Sequence, residues 1–400
     1  MNKSQRVLTI AISCALPMMT MAADKPPALY WMSVTTGTGA GMGAAMPNMS
    51  EMLMGGLLGG AGGGDKAGGS GAQRSILLQL SAPNTPTDPK ADHFIPPGQK
   101  MGESLPLLTP KPGKHVKSSV DEQEEPEKPK GRMLIYWGCG DKIRAGQPKT
   151  IDFSTASMDD YRRFFRSIGV SHPRGPRPSN GWTYAQWPNE QDHQTVPKDS
   201  SLIGRHEIKA NYAPAIQFEV PRQNDFLAPV KFTEIKGNLP ESVAFKWEAV
   251  PNAVGYFAMA MGGRGGDESI IWVSSEKPHM GWSLMDFVPT SEVRRLTKER
   301  VVMSPSTTAC QVPKGIFPGD GAFLQFIAYG PDLDVAHPPR PAKAPKGWQP
   351  EWLAKVRLKS TQSTLLGESA QAGGDSRTDK EPQKERAVDP VKALKGLFGF

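Results

Sequence analysis

Cysteine is scarce in this chain: three in 400 residues, at positions 14, 139 and 310. A small disulfide-rich scaffold is thereby excluded. Helix-favouring composition is missing too, because 42 Gly and 38 Pro make a fifth of the sequence breakers of regular structure. That excludes a compact helical protein and points to short strands joined by irregular loops. Apolar residues amount to 38%, low for a chain folded along its whole length, so modest cores separated by non-globular stretches are expected. Catalytic signatures are absent. The seven histidines show no zinc spacing, and His206-Glu207 lacks the second histidine one turn on that a zinc-protease helix requires. No G-x-S-x-G occurs, and the glycine-rich run 262–266 is not followed by the Lys-Ser/Thr that opens a phosphate-binding helix. Cys139 stands between two glycines with no histidine in a recognisable relation to it. An enzyme is not expected, and no cofactor is implied.

What the chain does have begins at its N terminus. Lys3 and Arg6 form a basic head, Val7 to Leu16 an apolar run, Pro17 a break, and Thr20-Met21-Ala22 a small-x-small exit. This is the pattern of a secretory signal peptide over residues 1–22, cleaved after Ala22 or Ala23. The apolar run is much shorter than the ~20 residues of a membrane-spanning helix. Export to the periplasm or cell surface is the expectation. The formal charge of +7 falls when Lys3 and Arg6 depart, and a mild basic excess says little about partners. Cys14 departs with the leader, leaving Cys139 and Cys310 in a compartment that permits disulfides. A bridge would have to join the two halves of the chain; two separately buried thiols are expected instead.

Three segments read as non-globular: residues 37–72, rich in Gly, Ala and Met; residues 109–131, alternating Pro with charge; and a linker at 361–387. None has the apolar content to offset the entropy of ordering. Between them, residues 28–35, 74–80 and 132–137 are short apolar or alternating runs bounded by Gly and Pro, and residues 206–220 read as two strands broken at Pro214. A helix is predicted near 157–168, with Ser157 as cap, Asp159 and Asp160 in its first turn and Arg162, Arg163 and Arg166 beyond. Residues 28–220 are thus expected to form one β-domain carrying two long disordered insertions.

The second half is better patterned. Residues 242–261 alternate through Val243, Phe245 and Trp247, turn at Pro251-Asn252, and alternate again through Tyr256, Ala258 and Ala260. Runs at 269–274, 308–312 and 322–329 follow, with a short helix predicted over 291–300. With Trp247 on the first strand and Tyr256 after the turn, residues 225–335 resemble a fibronectin type III or related immunoglobulin-like sandwich. The resemblance implies an architecture and leaves the activity open. The fold class is therefore mainly β: two β-sandwich-like domains, 28–220 and 225–360, with an amphipathic helix at 388–400.

Three clusters could carry function. Met46, Met49 and Met52 place soft thioethers at turn-like spacing, which suits Cu(I), although a short apolar helix over Pro47 to Leu58, docking on a core or a membrane, is the plainer explanation. Arg174 and Arg177 precede Trp182 and Trp187 in a Gly- and Pro-rich stretch, a combination that could hold an anionic surface glycan or lipid head group, or could simply pin a loop. Nucleic acid is not expected for an exported chain. In the last segment Asp389 can cap and Pro390 start a helix with Val391, Leu394, Leu397 and Phe398 on one face, a candidate docking peptide for an envelope protein or membrane surface. The sequence thus points to an exported, non-enzymatic binding or assembly protein of the cell envelope, with metal or glycan handling as the alternative.

Overall fold

A computed structural model describes residues 26–39, 71–110, 131–153, 155, 170–263, 268–318 and 321–367. The first half contributes β1 (Ala28–Gly39), β2 (Gln73–Ala82), β3 (Ala91–Phe94), β4 (Ser104–Leu107), β5 (Arg132–Trp137), β6 (Lys149–Asp152), β7 (Thr183–Trp187), β8 (Gly204–Ala210) and β9 (Ile216–Val220). The second contributes β10 (Phe232–Asn238), β11 (Ser242–Trp247), β12 (Gly255–Gly263), β13 (Glu268–Val273), the helix α1 (Thr290–Lys298), β14 (Ala309–Val312), β15 (Ala322–Tyr329), β16 (Leu333–His337) and β17 (Trp352–Leu366). The protein is mainly β and sandwich-like.

One ten-stranded sheet organises the molecule, in the order β6-β5-β13-β12-β15-β17-β1-β2-β7 with β16 paired beside β17. β1 runs parallel to β17 and antiparallel to β2, so it lies mid-sheet and nearly every residue in it is buried. That is why its sequence, ALYWMSVT, is almost continuously apolar or uncharged. Two smaller sheets, β10-β11-β14 and β4-β3-β8-β9, accompany it. Phe245 and Trp247 of β11 meet Phe326 of β15, the indole and phenyl centroids 4.7 Å apart, and one continuous core runs through all three sheets. A second core lies on the opposite face, where Val293 and Leu296 of α1 cover Phe257, Met259, Ile271 and Ile327.

The two-domain boundary between residues 220 and 225 is not a boundary in this sheet. The second-half block β13-β12-β15-β17 lies between β5 and β1 of the first half, and the alternating pattern that identifies a strand carries no information about such partners. Nor is residue 361 the start of a linker: β17 continues to Leu366, and β1 reaches Gly39, inside the segment read as an insertion from residue 37. Residues 361–366 are polar like the linker they were expected to begin, yet all of them pair with β15, and those up to Ser363 also with β1. The signal peptide, most of the segments 37–72 and 109–131, the helix at 157–168 and the helix at 388–400 lie outside the described residues.

Cys139 and Cys310 are bonded to each other, their Cα atoms 5.2 Å apart, where two separate thiols were expected. The reason is topological. Gly138 follows β5 and donates to Val273 of β13, while Gly140 donates to Gln311 of β14, so the loop after β5 bridges from the long sheet to the edge of the three-stranded one. The bond closes 171 residues of chain separation. Replacing both cysteines by serine should lower stability by on the order of 3–5 kcal/mol, read as a reduced urea midpoint that dithiothreitol reproduces in the native protein. An unchanged midpoint would show that the β5 loop is held without it.

Candidate functional site

Along β17 successive residues face opposite sides, so Lys355, Arg357 and Lys359 share the face turned away from the smaller sheets. On β1 the same face carries Trp31, Ser33 and Thr35, all buried. Arg357 is held between two aromatic rings, its guanidinium carbon 4.6 Å from the Trp31 centroid and 4.4 Å from that of Phe287, and its Nε donates to Ser33 Oγ at 2.7 Å. Lys359 lies 4.4 Å over Phe287 and donates to Asp286 at 3.2 Å. Lys355 bridges Asp332, at 3.3 Å, and Asp334, at 2.6 Å. Burial alone would raise the Asp286 carboxyl, but Lys359 and Arg357 outweigh it and hold it below the usual range. At Asp332 burial wins over Lys355 and the carboxyl is raised. Asp332 also accepts from the backbone N–H of Thr290, and its own N–H donates to the Thr290 hydroxyl, fixing the start of α1 on this face.

The segment carrying Arg174 and Arg177 crosses the same face. Ser171 N–H donates to Glu292 of α1, a carboxylate also paired with Arg295. Four residues on, Gly175 rests on the Trp31 ring so closely that a Cβ would stand 2.7 Å from it; only glycine allows that approach. Arg174 and Arg177 are exposed, Pro176 is buried between them, and Trp182 is half-buried at the entry to β7. Trp187 is not part of a surface platform. It is 1% exposed and belongs to the core, because the residues 183–187 form a strand whose odd positions turn inward. Cys139, engaged with Cys310, offers no thiol. Met46, Met49, Met52, Val391, Leu394, Leu397 and Phe398 lie outside the described residues. Among the described residues no three His, Cys, Asp or Glu side chains gather as a metal site would require.

A second polar cluster, which sequence reading missed, sits inside the sandwich. His206 Nε2 donates to the Leu202 carbonyl at 2.7 Å, which leaves Nδ1 to accept from His93 Nε2 at 2.9 Å, and His93 Nδ1 in turn to accept from the Tyr30 hydroxyl at 3.0 Å. Each link sets the tautomer of the next, and every group is satisfied with both imidazoles neutral. The signal available in sequence was only alternation: His93 on β3 and His206 on β8 occupy inward positions, and His206 stacks on Phe218 with centroids 5.3 Å apart.

No family model matches the chain, and no curated protein does. Among solved structures, the Mu homology domain of Fcho1 from Danio rerio, solved with a bound Eps15 peptide, aligns over 85% of this chain and 98% of its own at 7% identity, with a TM-score of 0.19. At that score the likeness carries no argument.

Burial holds His93 well below the ordinary imidazole range, with His206 adding to the effect, and burial lowers His206 to about 4 against the pull of the Leu202 carbonyl. The folded chain therefore takes up these protons less readily than the unfolded one. Stability from the pair is whole above the unfolded value near 6.5 and is lost as pH falls toward 4, by about 3 kcal/mol for His206 alone. Urea titrations at pH 7 and pH 4.5 should show the loss, and His206→Gln should reduce it to the share that buried His93 retains. Tyr30→Phe, which orphans His93 Nδ1, should cost about 1–3 kcal/mol at neutral pH.

Proposed function

We propose that this chain is an exported, non-enzymatic binding or assembly protein of the cell envelope, acting in the periplasm or at the cell surface. The observation that carries the reading is how the chemically versatile groups are engaged. Cys139 is bonded to Cys310, and His93 and His206 are closed into a chain with Tyr30, so these groups serve the fold, while Arg174 and Arg177 face solvent. The leader pattern at residues 1–22 and a disulfide across the two halves support an oxidising destination. For the second half, the set β10-β11-β14 packed on β13-β12-β15-β17 supports assignment to fibronectin type III or immunoglobulin-like sandwiches, with Trp247 against Tyr256 at 5.6 Å where the two sheets meet. Here the second sheet is prolonged by strands of the first half, which that family does not require. An envelope protein or membrane surface is the partner proposed for residues 388–400.

The test is fractionation of native cells with thiol labelling and crosslinking. The expected result is a chain shortened after Ala22 or Ala23, outside the cytoplasm, refractory to maleimide until reduced, and crosslinked to the same envelope component in repeated preparations. An unprocessed cytoplasmic chain with two reactive thiols, or turnover of any substrate in a broad hydrolase screen, would overturn it. Loss of envelope association on deleting residues 388–400 would identify that segment as the docking element.

A further inference from the structure

The end of the long sheet at which β16 leaves and β17 enters is fixed by register: His337 opposite Trp352, Ala28 opposite Trp352, Leu29 opposite Ser81, and Ala82 opposite Thr183. Two loops lie at that end. Residues 338–351 join β16 to β17, and residues 171–182 arrive from α1 over Trp31 to enter β7. Four inter-strand steps separate β16 from β7, so the two loops stand within about 20 Å across the sheet. Residues 171–182 and 338–350 together contain eight prolines, five Arg or Lys, and neither Asp nor Glu.

Those five cations, Arg174, Arg177, Arg340, Lys343 and Lys346, are exposed, and among the described residues no ion pair reaches them. The nearby acids do not cancel them: Glu351 is a single exposed carboxylate, and Asp88 is paired with Lys90 at 2.9 Å. Prolines fix φ, so the cations are presented with less of the ordering entropy that weakens a flexible lysine loop. Residues 171–179 run without turn or strand, and prolines at 173, 176 and 178 favour a polyproline II backbone of three residues per turn. On such a backbone Arg174 and Arg177 project to one side about 9 Å apart, and the other two sides are occupied, Gly175 by Trp31 and Pro176 by burial. On the second loop a turn from Pro345 O to Trp348 N, 3.0 Å, sets the indole under Arg340, whose guanidinium carbon is 5.9 Å from the ring centroid.

We propose that this end of the sheet binds a linear, negatively charged polysaccharide. Its carboxylate, sulfate or phosphate groups pair with the two rows of cations, and Trp348 offers a face for a sugar ring. The inference rests on the binding reading above and names a ligand class and a surface for it. The Cys139–Cys310 bond favours polymers outside the cytoplasm over nucleic acid. The proline-rich loops have no apolar helical face with which to enter a bilayer.

The purified mature chain, with its disulfide intact, would be titrated calorimetrically with polygalacturonate at 50 and 200 mM NaCl, with neutral dextran, single-stranded DNA and phosphatidylglycerol vesicles as parallel arms. Binding to polygalacturonate at 50 mM is expected, weakened about tenfold at 200 mM by screening. Arg340→Gln/Lys343→Gln/Lys346→Gln and Arg174→Gln/Arg177→Gln should each weaken it about tenfold at the lower salt, with urea midpoints unchanged because all five side chains are exposed. Trp348→Ala should lower affinity equally at both salts. No binding at 50 mM, indifference to either set of substitutions, or tighter binding of DNA or vesicles would overturn the inference. If polygalacturonate fails while crosslinking still recovers an envelope component, this ligand assignment falls and the binding reading stands; if both fail, both fall.

Discussion

The pairing of β1 with β17 is the constraint on which the architecture depends. Twelve residues of the first strand lie in parallel register with the last, from Ala28 opposite Trp352 to Gly39 opposite Ser363. On its other side β17 is covered first by β16 and then by β15, so one long strand joins the pieces of the second half to the first strand of the first half. Parallel neighbours always need a connection that passes outside the sheet. Here that connection is nearly the whole protein, and the two smaller sheets are folded from within it.

Burying cations on the outer face carries a desolvation cost that a simple pairing argument would miss. Arg357 meets that cost in the way a guanidinium can and an ammonium cannot: its weakly hydrated plane is covered by Trp31 and Phe287 while Nε keeps a hydrogen bond to Ser33. Lys359 retains Asp286, and the depressed carboxyl there shows attraction exceeding burial. At Asp332, shared with Thr290 and Lys355, the balance is reversed. The face is therefore polar yet closed. It anchors α1 and the segment before β7 to the sheet, whose end carries the proline-rich loops.

Much of the strand content was legible from alternation and punctuation. Residues 132–137 and 322–329 form strands at those limits, Pro214 does separate β8 from β9, and the short helix lies at Thr290–Lys298 against a predicted 291–300. What was not legible was partnership. Hydrophobic period fixes which face of a strand is buried and says nothing about which strand lies beside it, so β5 and β13, well over a hundred residues apart in sequence, pair without any local signal. β17 was hidden only at its far end, and for a chemical reason: residues 361–366, TQSTLL, are too polar to stand apart from the linker composition that follows until their pairing with β1 and β15 is known. The same limit applies to the site. Arg174 and Arg177 are surface groups, whereas Trp187, five residues beyond Trp182, is core, a distinction set by the inward phase of β7.

The parallel pair also has a consequence in time. Ser33 meets Arg357 across a sequence separation of 324, and a chain delivered N terminus first, from a ribosome or through an export pore, presents β1 well before β17. During that interval β1 can recruit β2 but has an unpaired edge on its other side, the kind of edge that invites strand exchange with other molecules. Residues rich in proline and glycine fill much of the delay, and they are poor partners for such an edge. The native sheet closes only when the last strand arrives, so truncation near the C terminus would act on the first strand as directly as on the last.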